Sequence, residues 1–292
     1  MSRQVKNIIN ITAFLICIAL VNIAGQNIEL EIRGVNAFTY ILIAAVLIQV
    51  IFFIPSFLLK TEKYYDLVGS LTYVITISLA YFAVENKTTI DSIIYIYVMI
   101  WASRLGIYLF RRVQKDGKDV RFEKAKTHFF WFLQYWMGQA LWVSLTACAA
   151  IIAILSPEED SLPVLAMLGM ALWLTGFTIE SISDYQKRVF RKENNPSKSF
   201  IHTGLWARSR HPNYFGEITL WTGIAIIALN TLAGIEFITL ISPVFVYILL
   251  TRMSGVNLLE RIADERYGEL EEYQRYKKNT PVLIPKLSKD KN

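Results

Sequence analysis

Long apolar runs separated by short polar segments dominate the chain. The runs are continuous rather than alternating, and about 20 consecutive apolar residues cross a bilayer as one helix. Because only helices and closed barrels satisfy their backbone groups in lipid, the pattern predicts an all-α, polytopic membrane helix bundle of about 7–8 transmembrane helices. The predicted spans are residues 8–24, 37–59, 65–84, 90–111, 130–155, 162–186, 213–230 and 235–251.

The composition supports the same class. Hydrophobic residues make up 54% of the 292 residues and charged residues only 18%, whereas soluble domains are about a quarter charged. A chain with so few charges cannot coat a water-facing surface of its size. We find neither an internal repeat nor a low-complexity segment and interpret residues 1–292 as a single integral membrane domain.

Lysine and arginine occupy alternate loops, and this asymmetry predicts orientation. Cations precede the first span and follow the second, fourth, sixth and eighth, while the other loops are acidic, with residues such as Glu29, Glu31 and Glu85. Both termini are therefore expected in the cytoplasm. The net charge of +6 indicates this topology, contact with anionic membrane lipid or an anionic cytoplasmic ligand, rather than nucleic acid.

Familiar soluble-enzyme motifs are absent from the sequence. There is no G-x-G-x-x-G, G-x-x-x-x-G-K-[ST], H-E-x-x-H or G-x-S-x-G pattern, and the two cysteines, Cys17 and Cys148, lie in apolar runs as expected for packing residues. With three histidines and no cysteine set, a catalytic metal is not expected. Any nucleotide would bind between helices and cytoplasmic loops.

The segment SRHPNYFGE, residues 209–217, places polar residues at the start of the seventh span. Pro212 suits a first helical turn, so Arg210 and His211 would lie beside free N–H groups, an arrangement that favours anions. Asn213 and Glu217 share one helix face, with Tyr214 adjoining. An ionisable group about one turn inside the membrane indicates function by default; the alternative is interfacial anchoring by Arg210 and His211, with Glu217 paired to a cation.

A second polar segment, ESISDYQKRVFR, closes the sixth span at residues 180–191. Glu180 and Asp184 are four residues apart and are followed by Arg188 and Arg191. The carboxylates could accept hydrogen bonds from ribose or amide groups while the arginines bind phosphate. An i,i+4 salt-bridge ladder on a helix leaving the membrane explains the same spacing, and the residues alone leave both interpretations open.

Two further segments carry candidate residues. In WASRLGIYLFRR, residues 101–112, Arg104 lies within an apolar run one turn before Tyr108, and Arg112 fits either an anchor or a ligand contact. In KYYDLVGS, residues 63–70, Asp66 follows Tyr64 and Tyr65 at the start of the third span. Asp66 is either an N-cap or a proton donor or ligand carboxylate.

The tail shows helical spacing from residue 257 to residue 278, and Pro281 and Pro285 follow it. Charged residues mix with Leu258, Leu259 and Ile262, which is typical of a helix lying along a surface. We expect the tail to lie on the cytoplasmic face and to close over whatever the loops bind.

Taken in order, these segments resemble the steroid 5α-reductase-like superfamily of integral membrane proteins, most closely its bacterial DUF1295 branch. The likeness runs from about Asp66 to Pro285 and includes YYDLVG, WASRLGIYLFRR, KDVRFEKAK, ESISDYQKRVFR, RHPNYFGE, TRMSGVNLLER and YKKNTPVLIP. It implies variable N-terminal spans over residues 1–62, a reductase-like core over residues 63–286, and a bacterial inner membrane. It also implies a multi-helix bundle that binds NADPH from the cytoplasm and reduces an activated C=C bond of an apolar, lipid or steroid-like substrate.

The resemblance also implies site residues. In the steroid reductases, residues similar to six residues of this chain bind the cofactor: Arg104, Tyr108, Asp184, Arg191, Asn213 and Glu217. The matching motifs add Arg261 to these candidate cofactor-binding residues. Steroid 5α-reductases carry a Gln-Glu pair before Leu-Pro-Ser-Phe, where this chain has Phe52-Phe53 before Ile-Pro-Ser-Phe. The carbonyl-activating acid must then lie elsewhere, and the expected catalytic residues are Asp66, Tyr64, Tyr65 and Glu217.

Two other function classes compete with the reductase. The superfamily includes isoprenylcysteine carboxyl methyltransferases with a similar RHPxY segment, so S-adenosylmethionine is the alternative cofactor, with methyl transfer to an apolar acceptor. Several arginines lie at the same predicted depth relative to the membrane, which favours a phosphate-bearing cofactor such as NADPH over the sulfonium of S-adenosylmethionine. The same residues also satisfy the positive-inside pattern. A non-enzymatic lipid binder or transporter is the third class, and the sequence shows no repeat of the kind that transporters use.

Overall fold

The computed structural model describes residues 1–116, 119, 121–156, 161–194, 199–253 and 255–286. Within these residues the chain is helical almost throughout, which confirms the all-α prediction. The α-helices are α1 (Arg3–Val21), α2 (Ala37–Leu58), α3 (Tyr65–Ala83), α4 (Thr89–Asp116), α5 (Phe129–Leu155), α6 (Val164–Glu193), α7 (Pro212–Ala228), α8 (Ile241–Ile248), α9 (Val256–Tyr267) and α10 (Glu271–Asn279). A two-stranded antiparallel ribbon, β1 (Glu31–Ile32) and β2 (Val35–Asn36), joins α1 to α2.

Seven segments of the described chain are long and apolar enough to cross a membrane, so the protein is an integral membrane protein of the polytopic kind. They are Arg3–Gly25, Ala37–Leu58, Tyr65–Ala83, Thr89–Lys115, Phe129–Leu155, Val164–Glu193 and Gly234–Tyr267. The seventh predicted span coincides with α7, which at 17 residues is shorter than these. Its start at Pro212 agrees with the prediction from proline chemistry.

The chain divides into two compact units. The first contains Met1–Ala166 and Ala225–Ser242, and the second contains Met167–Ile224 and Pro243–Asn292. The single-domain interpretation, with its boundary at residues 62 and 63, stays a prediction.

Helix α5 forms the centre of the first unit. Nearly all of its apolar length is buried, and it packs against α1, α2 and α3. Aromatic side chains fill the contact, with Phe53, Phe132 and Trp136 each almost fully buried. Within this apolar packing Gln49 donates from Nε2 to Thr72 Oγ1 at 2.8 Å, so its amide joins two helices, the ordinary use of such a residue inside a membrane.

Helices α6 and α7 pack closely in the second unit because glycines line the contact. A Cβ atom added to Gly176 would lie 2.5 Å from the Gly216 carbonyl oxygen, and one added to Gly216 would lie 2.6 Å from the Glu180 nitrogen. These are backbone atoms that cannot move aside, so any larger residue would separate the helices. The close approach determines which polar residues of α6 and α7 can meet.

The tail differs from the single helical segment that its spacing predicted. It forms two helices, α9 and α10, because the chain leaves the helical path after the C-cap Gly268. Helix α10 ends at Asn279, before Pro281 as expected.

Candidate functional site

Buried acidic residues of α6 and α7 form the first part of the candidate site, all within the second unit. Glu180, Asp184 and Glu217 are 2%, 5% and 7% exposed, although burying a carboxylate is costly unless it is paired or hydrogen-bonded. Asn213 donates from Nδ2 to Asp184 Oδ1 at 3.4 Å. The structure thus brings together four of the residues that the sequence selected.

Arg210 and His211 meet a carboxylate of α9 just before α7 begins. His211 Nε2 lies 2.8 Å from Glu260 Oε1, and Arg210 Nη2 lies 3.1 Å from Glu260 Oε2. Arg210 also donates from Nη1 to the Lys277 carbonyl at 2.6 Å. One carboxylate therefore holds both basic residues of the RHPNY segment, Arg210 and His211, in place.

The His211 ring is buried and constrained. It stacks on the Tyr214 ring with the planes 9° apart, and Nδ1 has no hydrogen-bond partner in the described part of the chain. Burial lowers the pKa of His211; the hydrogen bond that the ring donates to Glu260 opposes this shift, while Lys187 and Arg210 add to it. The ring is therefore neutral at neutral pH, with Nε2–H donated to Glu260 and Nδ1 left as a lone-pair acceptor.

The C-terminal segment is tied to the same residues by backbone hydrogen bonds. The Arg210 amide donates to the Pro281 carbonyl at 2.9 Å, and the His211 amide donates to the Val282 carbonyl at 3.1 Å. Ser209 Oγ donates to the Leu283 carbonyl at 2.7 Å. The tail therefore covers the entry to α7 within this unit, as the sequence predicted for a segment closing over loops.

A cavity of about 170 Å³ lies beside these residues, entirely within the second unit. Its lining includes one carboxylate, Glu260, and several cations and aromatic rings. The cationic side chains are Lys187, Arg191, Arg210 and Arg266; the aromatic ones are Phe190, Phe200, Trp206, Tyr267, Tyr273 and Tyr276. We call this the cationic cavity. Cations bind phosphate and aromatic faces stack on flat rings, so its chemistry suits a nucleotide.

The aromatic side of the cavity is held rigidly. The Phe200 ring packs edge-on against Tyr273 at 5.2 Å between centroids, and Tyr276 donates its hydroxyl to the Trp206 carbonyl at 2.7 Å. Burial raises the pKa of Tyr276, so its phenol stays neutral and adds no negative charge. Lys187 Nζ lies 4.6 Å from the centre of the Trp206 ring.

A tight turn positions Trp206. Gly204 has φ +62°, a conformation that side chains disfavour, and an added Cβ would also collide with the Gln186 side chain. Gln186 Oε1 accepts from the Leu205 amide at 3.0 Å, and Trp206 Nε1 donates to the Ser183 carbonyl at 3.1 Å. The loop before α7 is thereby fixed onto α6.

Sequence reasoning missed part of this cavity. Lys187 lies one turn before Arg191 inside a segment that was already singled out, so the i,i+4 spacing could have revealed it. Arg266 and the tyrosines of the tail carried no local signal. Conversely, Arg188 is exposed and lies over the Tyr185 ring at 5.3 Å, and Arg261 is exposed; neither lines the cavity.

The first unit contains a separate polar cluster around Asp66. The N-cap interpretation of Asp66 is wrong, because the cap position is Tyr64 and the Asp66 side chain instead bridges two arginines. Its carboxylate lies 3.2 Å from Arg112 Nη2 and 3.4 Å from Arg121 Nη2. Asp119 pairs with Arg121 at 2.7 Å, and Glu62 pairs with Lys126 at 2.7 Å. We call these residues the Asp66 cluster: Glu62, Asp66, Arg112, Asp119, Arg121 and Lys126.

The remaining predicted residues also belong to the first unit. Tyr65 is buried and donates its hydroxyl to the Tyr135 carbonyl at 2.9 Å, while Tyr64 is half exposed and stacks on Phe110. Arg104 and Tyr108 lie one turn apart on α4 and are partly buried. The roles assigned to these four residues stay predictions.

Comparisons with known proteins agree with this architecture. A family model described as a protein of unknown function, DUF1295, matches residues 52–280. The 3-oxo-5-alpha-steroid 4-dehydrogenase 1 of Mus musculus is 31% identical over 121 residues, 41% of this chain and 42% of that protein. The enzyme of the same name from Rattus norvegicus is 30% identical over 119 residues, 41% of this chain and 40% of that protein, and the Homo sapiens enzyme is 27% identical over 121 residues, 41% of each.

The fold and the family model together define a polytopic helical membrane protein of a known family. The chain belongs to the DUF1295 family. The matches confirm the resemblance to the steroid 5α-reductase-like superfamily. The chain spans about two fifths of the length of the curated relatives it matches.

Proposed function

We propose that this protein is an NADPH-dependent membrane reductase of an activated C=C bond in a steroid-like or other lipid substrate. Three relatives carry the name of a steroid 4-dehydrogenase, and the superfamily resemblance implies reduction of an enone by NADPH. Bound NADPH would supply the hydride, so the protein must bind the cofactor, orient it and handle the proton.

The cationic cavity is the observation that carries this proposal. Arg191 and Arg266 line it, and neither forms an ion pair within the part of the chain that the structure describes. Arg210 is aligned by Glu260. Positive charge therefore exceeds negative charge around a space walled by aromatic rings, and a phosphate-bearing nucleotide complements both features.

The same charge argues against the methyltransferase alternative. S-adenosylmethionine carries a positive sulfonium and no phosphate, so a cavity lined by four cationic side chains complements it poorly. An apolar lipid without a phosphate gives the cations of this cavity no anionic partner. We therefore keep both alternatives only as outcomes of the experiments.

The buried acidic residues would hold the other end of the cofactor. Asn213 is already oriented by Asp184, and its amide can donate to or accept from a carboxamide. Glu217, buried one turn further along α7, would fix the reacting ring against the substrate. Glu180 adds a third buried carboxylate that can accept hydrogen bonds from ribose hydroxyls.

The acid that activates the substrate carbonyl is a separate requirement. Hydride addition β to a carbonyl builds enolate charge, which a positioned donor stabilises. Phe53 occupies the aromatic core of the first unit, so the Phe52-Phe53 pair offers no such donor. Tyr64, whose side chain is half exposed, is the candidate with an accessible hydroxyl, whereas Asp66 is engaged by two arginines and Tyr65 by a backbone carbonyl.

We also propose a location for the reaction. The positive-inside pattern of the loop cations supports a cytoplasmic position for both termini and for the loops that carry the cationic cavity, where NADPH is available, and the DUF1295 resemblance supports a bacterial inner membrane. The apolar substrate would reach the site from the bilayer.

A reductase assay tests the proposal. Detergent-purified protein is incubated with NADPH and a panel of enone lipids, including 3-oxo-4-ene steroids, and both NADPH consumption and the saturated product are measured. We expect substrate-dependent oxidation of NADPH, with NADH a poor donor. Methylation of a lipid by S-adenosylmethionine, with no enone reduced, would instead establish the methyltransferase.

A further inference from the structure

Glu260 is the one carboxylate among the described residues that line the cationic cavity. It belongs to α9, and its two oxygens contact two basic residues. Oε1 lies 2.8 Å from His211 Nε2, and Oε2 lies 3.1 Å from Arg210 Nη2. A carboxyl group paired with a guanidinium stays ionised. A cavity that we propose for a phosphate-bearing ligand therefore contains one charge that opposes binding.

Alignment of Arg210 does not by itself account for this carboxylate, because other groups hold the same residue. Arg210 Nη1 donates to the Lys277 carbonyl at 2.6 Å, and the Arg210 amide donates to the Pro281 carbonyl at 2.9 Å. An uncharged amide in place of the carboxylate would still offer an acceptor oxygen of nearly the same shape. The negative charge of Glu260 is the property that no other described lining residue supplies.

The small size of the cavity makes this charge important for any ligand inside it. A space of about 170 Å³ is roughly 7 Å across, which is less than the Debye length of about 8–10 Å near physiological salt. Salt therefore screens the lining charges from a bound phosphate only in part. The arginines of the lining attract that phosphate, while Glu260 repels it and cancels part of the attraction.

We infer that Glu260 limits the affinity of the cationic cavity for the phosphate-bearing cofactor and so speeds the release of that cofactor. In the empty cavity the carboxylate neutralises Arg210, and in the occupied cavity it repels the ligand. This inference rests on the proposed function, since it takes NADPH and NADP⁺ as the ligands. A reductase must exchange NADP⁺ for NADPH at each turnover, and product release limits many enzymes. Tighter binding of the cofactor in every state would not raise kcat.

Titration of NADP⁺ into the purified wild-type protein and the Glu260→Gln variant tests this inference. The new amide can accept from Arg210 and donate to His211, whose ring can change tautomer, so the variant loses the charge and keeps the contacts. We expect NADP⁺ to bind about tenfold more tightly to the variant. Most of the change should be in the dissociation rate, which is measured from NADPH fluorescence during a chase with excess NADP⁺.

Two further variants separate the local charge from net charge and from folding. Glu265→Gln removes the same charge from an exposed position of α9 outside the cavity lining, and its Kd for NADP⁺ should stay within about twofold of wild type. Glu260→Ala removes the charge together with both acceptor oxygens. It should also bind NADP⁺ more tightly than wild type, by a smaller factor, because Arg210 keeps its contact with the Lys277 carbonyl.

The outcomes distinguish this inference from the proposed function. Weaker binding of NADP⁺ by both Glu260 variants would overturn the inference and show that Glu260 serves to align Arg210. An equal gain of affinity in Glu265→Gln would also overturn it, because net charge alone would then explain the effect. In both cases the wild-type protein still binds NADP⁺, so the reductase proposal stands. If the wild-type protein binds neither NADP⁺ nor NADPH, the proposed function and this inference are both wrong.

Discussion

Arginine side chains gather at two places in this protein and are used differently in each. In the Asp66 cluster of the first unit, Arg112 and Arg121 share one carboxylate, and Arg121 has a second in Asp119. In the cationic cavity of the second unit, Arg191 and Arg266 face a space with a single carboxylate. Acidic and basic side chains are matched in the first region, and basic side chains are in excess in the second.

The difference shows how structural and ligand-binding charges can be separated. In the Asp66 cluster each charged side chain is paired with one of opposite charge, and the cluster fixes the loop after α4. It therefore requires no ligand. Unmatched cations around a cavity repel one another and attract an anion, even where two of them, Arg191 and Arg266, are exposed at its rim. Both regions look alike in the sequence, where each is a run of basic residues after a membrane span.

The largest expected effect comes from the buried carboxylate of α7. Glu217→Gln keeps the shape of the side chain but removes its charge, so we expect turnover to fall by at least about a hundredfold and cofactor binding to weaken. Expression and melting temperature should change little. The control is Glu265→Gln, an exposed carboxylate on α9; loss of folded Glu217→Gln protein would instead indicate that Glu217 serves packing.

Removing the unmatched arginines should affect ligand affinity and leave the fold intact. The double variant Arg191→Ala, Arg266→Ala is expected to weaken NADPH by at least about a hundredfold, since each of the two hydrogen bonds to a charged phosphate contributes about 1.5–3 kcal/mol. NADH should lose less, because it lacks the 2′-phosphate. Titration of both cofactors measures this.

The control for that pair is Lys192→Ala, Arg275→Ala. It removes the same charge from exposed positions outside the cavity. An equal loss in this control would mean that only net charge matters, and the cavity assignment would fail.

The matched cluster should show the opposite behaviour. Asp66→Ala leaves Arg112 and Arg121 without their shared carboxylate, so the free energy of unfolding should fall by about 1–2 kcal/mol, while NADPH affinity stays the same. Glu85→Ala, an exposed carboxylate beyond the other end of α3, is the matched control. Abolished turnover in an otherwise stable Asp66→Asn variant would show that Asp66 is the proton donor.

The smallest effect is a dependence of stability on pH. Burial disfavours ionised Asp119, but the hydrogen bonds and charge of Arg121 outweigh it and lower the pKa of Asp119 below its ordinary 3.8. A depressed pKa stabilises the fold above pH 3.8 and loses that contribution as pH falls through the folded pKa. The stability difference between wild type and Asp119→Asn should therefore be constant from neutral pH down to about pH 5 and shrink in more acidic buffer.

Much of the fold followed from the sequence, because the bilayer imposes a fixed length on apolar helices. The start of α7 at Pro212 and the end of α10 before Pro281 also followed, since proline acts locally. The partition of the tail into α9 and α10 did not, because its charged spacing is continuous through Gly268 and the break depends on where the chain turns.

The candidate site was predictable only where its residues are close in sequence. Asn213 and Glu217 share a helix face by spacing alone, and so do Glu180 and Asp184. The pairing of His211 with Glu260, 49 residues away, and the contribution of Arg266 depend on how α9 packs within its unit. Arg188 was misleading, because a basic residue after a span satisfies the positive-inside pattern whether or not it binds a ligand.

Thermal stabilisation of the purified protein by ligands tests the central claim most directly. A ligand that binds only the folded state raises the melting temperature by mass action, by an amount that grows with its concentration over its Kd. We expect NADPH and NADP⁺ to raise the melting temperature strongly, NADH weakly, and S-adenosylmethionine and S-adenosylhomocysteine not at all. Stabilisation by the last two alone, with no response to NADPH or NADP⁺, would contradict the assignment of the cationic cavity to a phosphorylated nicotinamide cofactor.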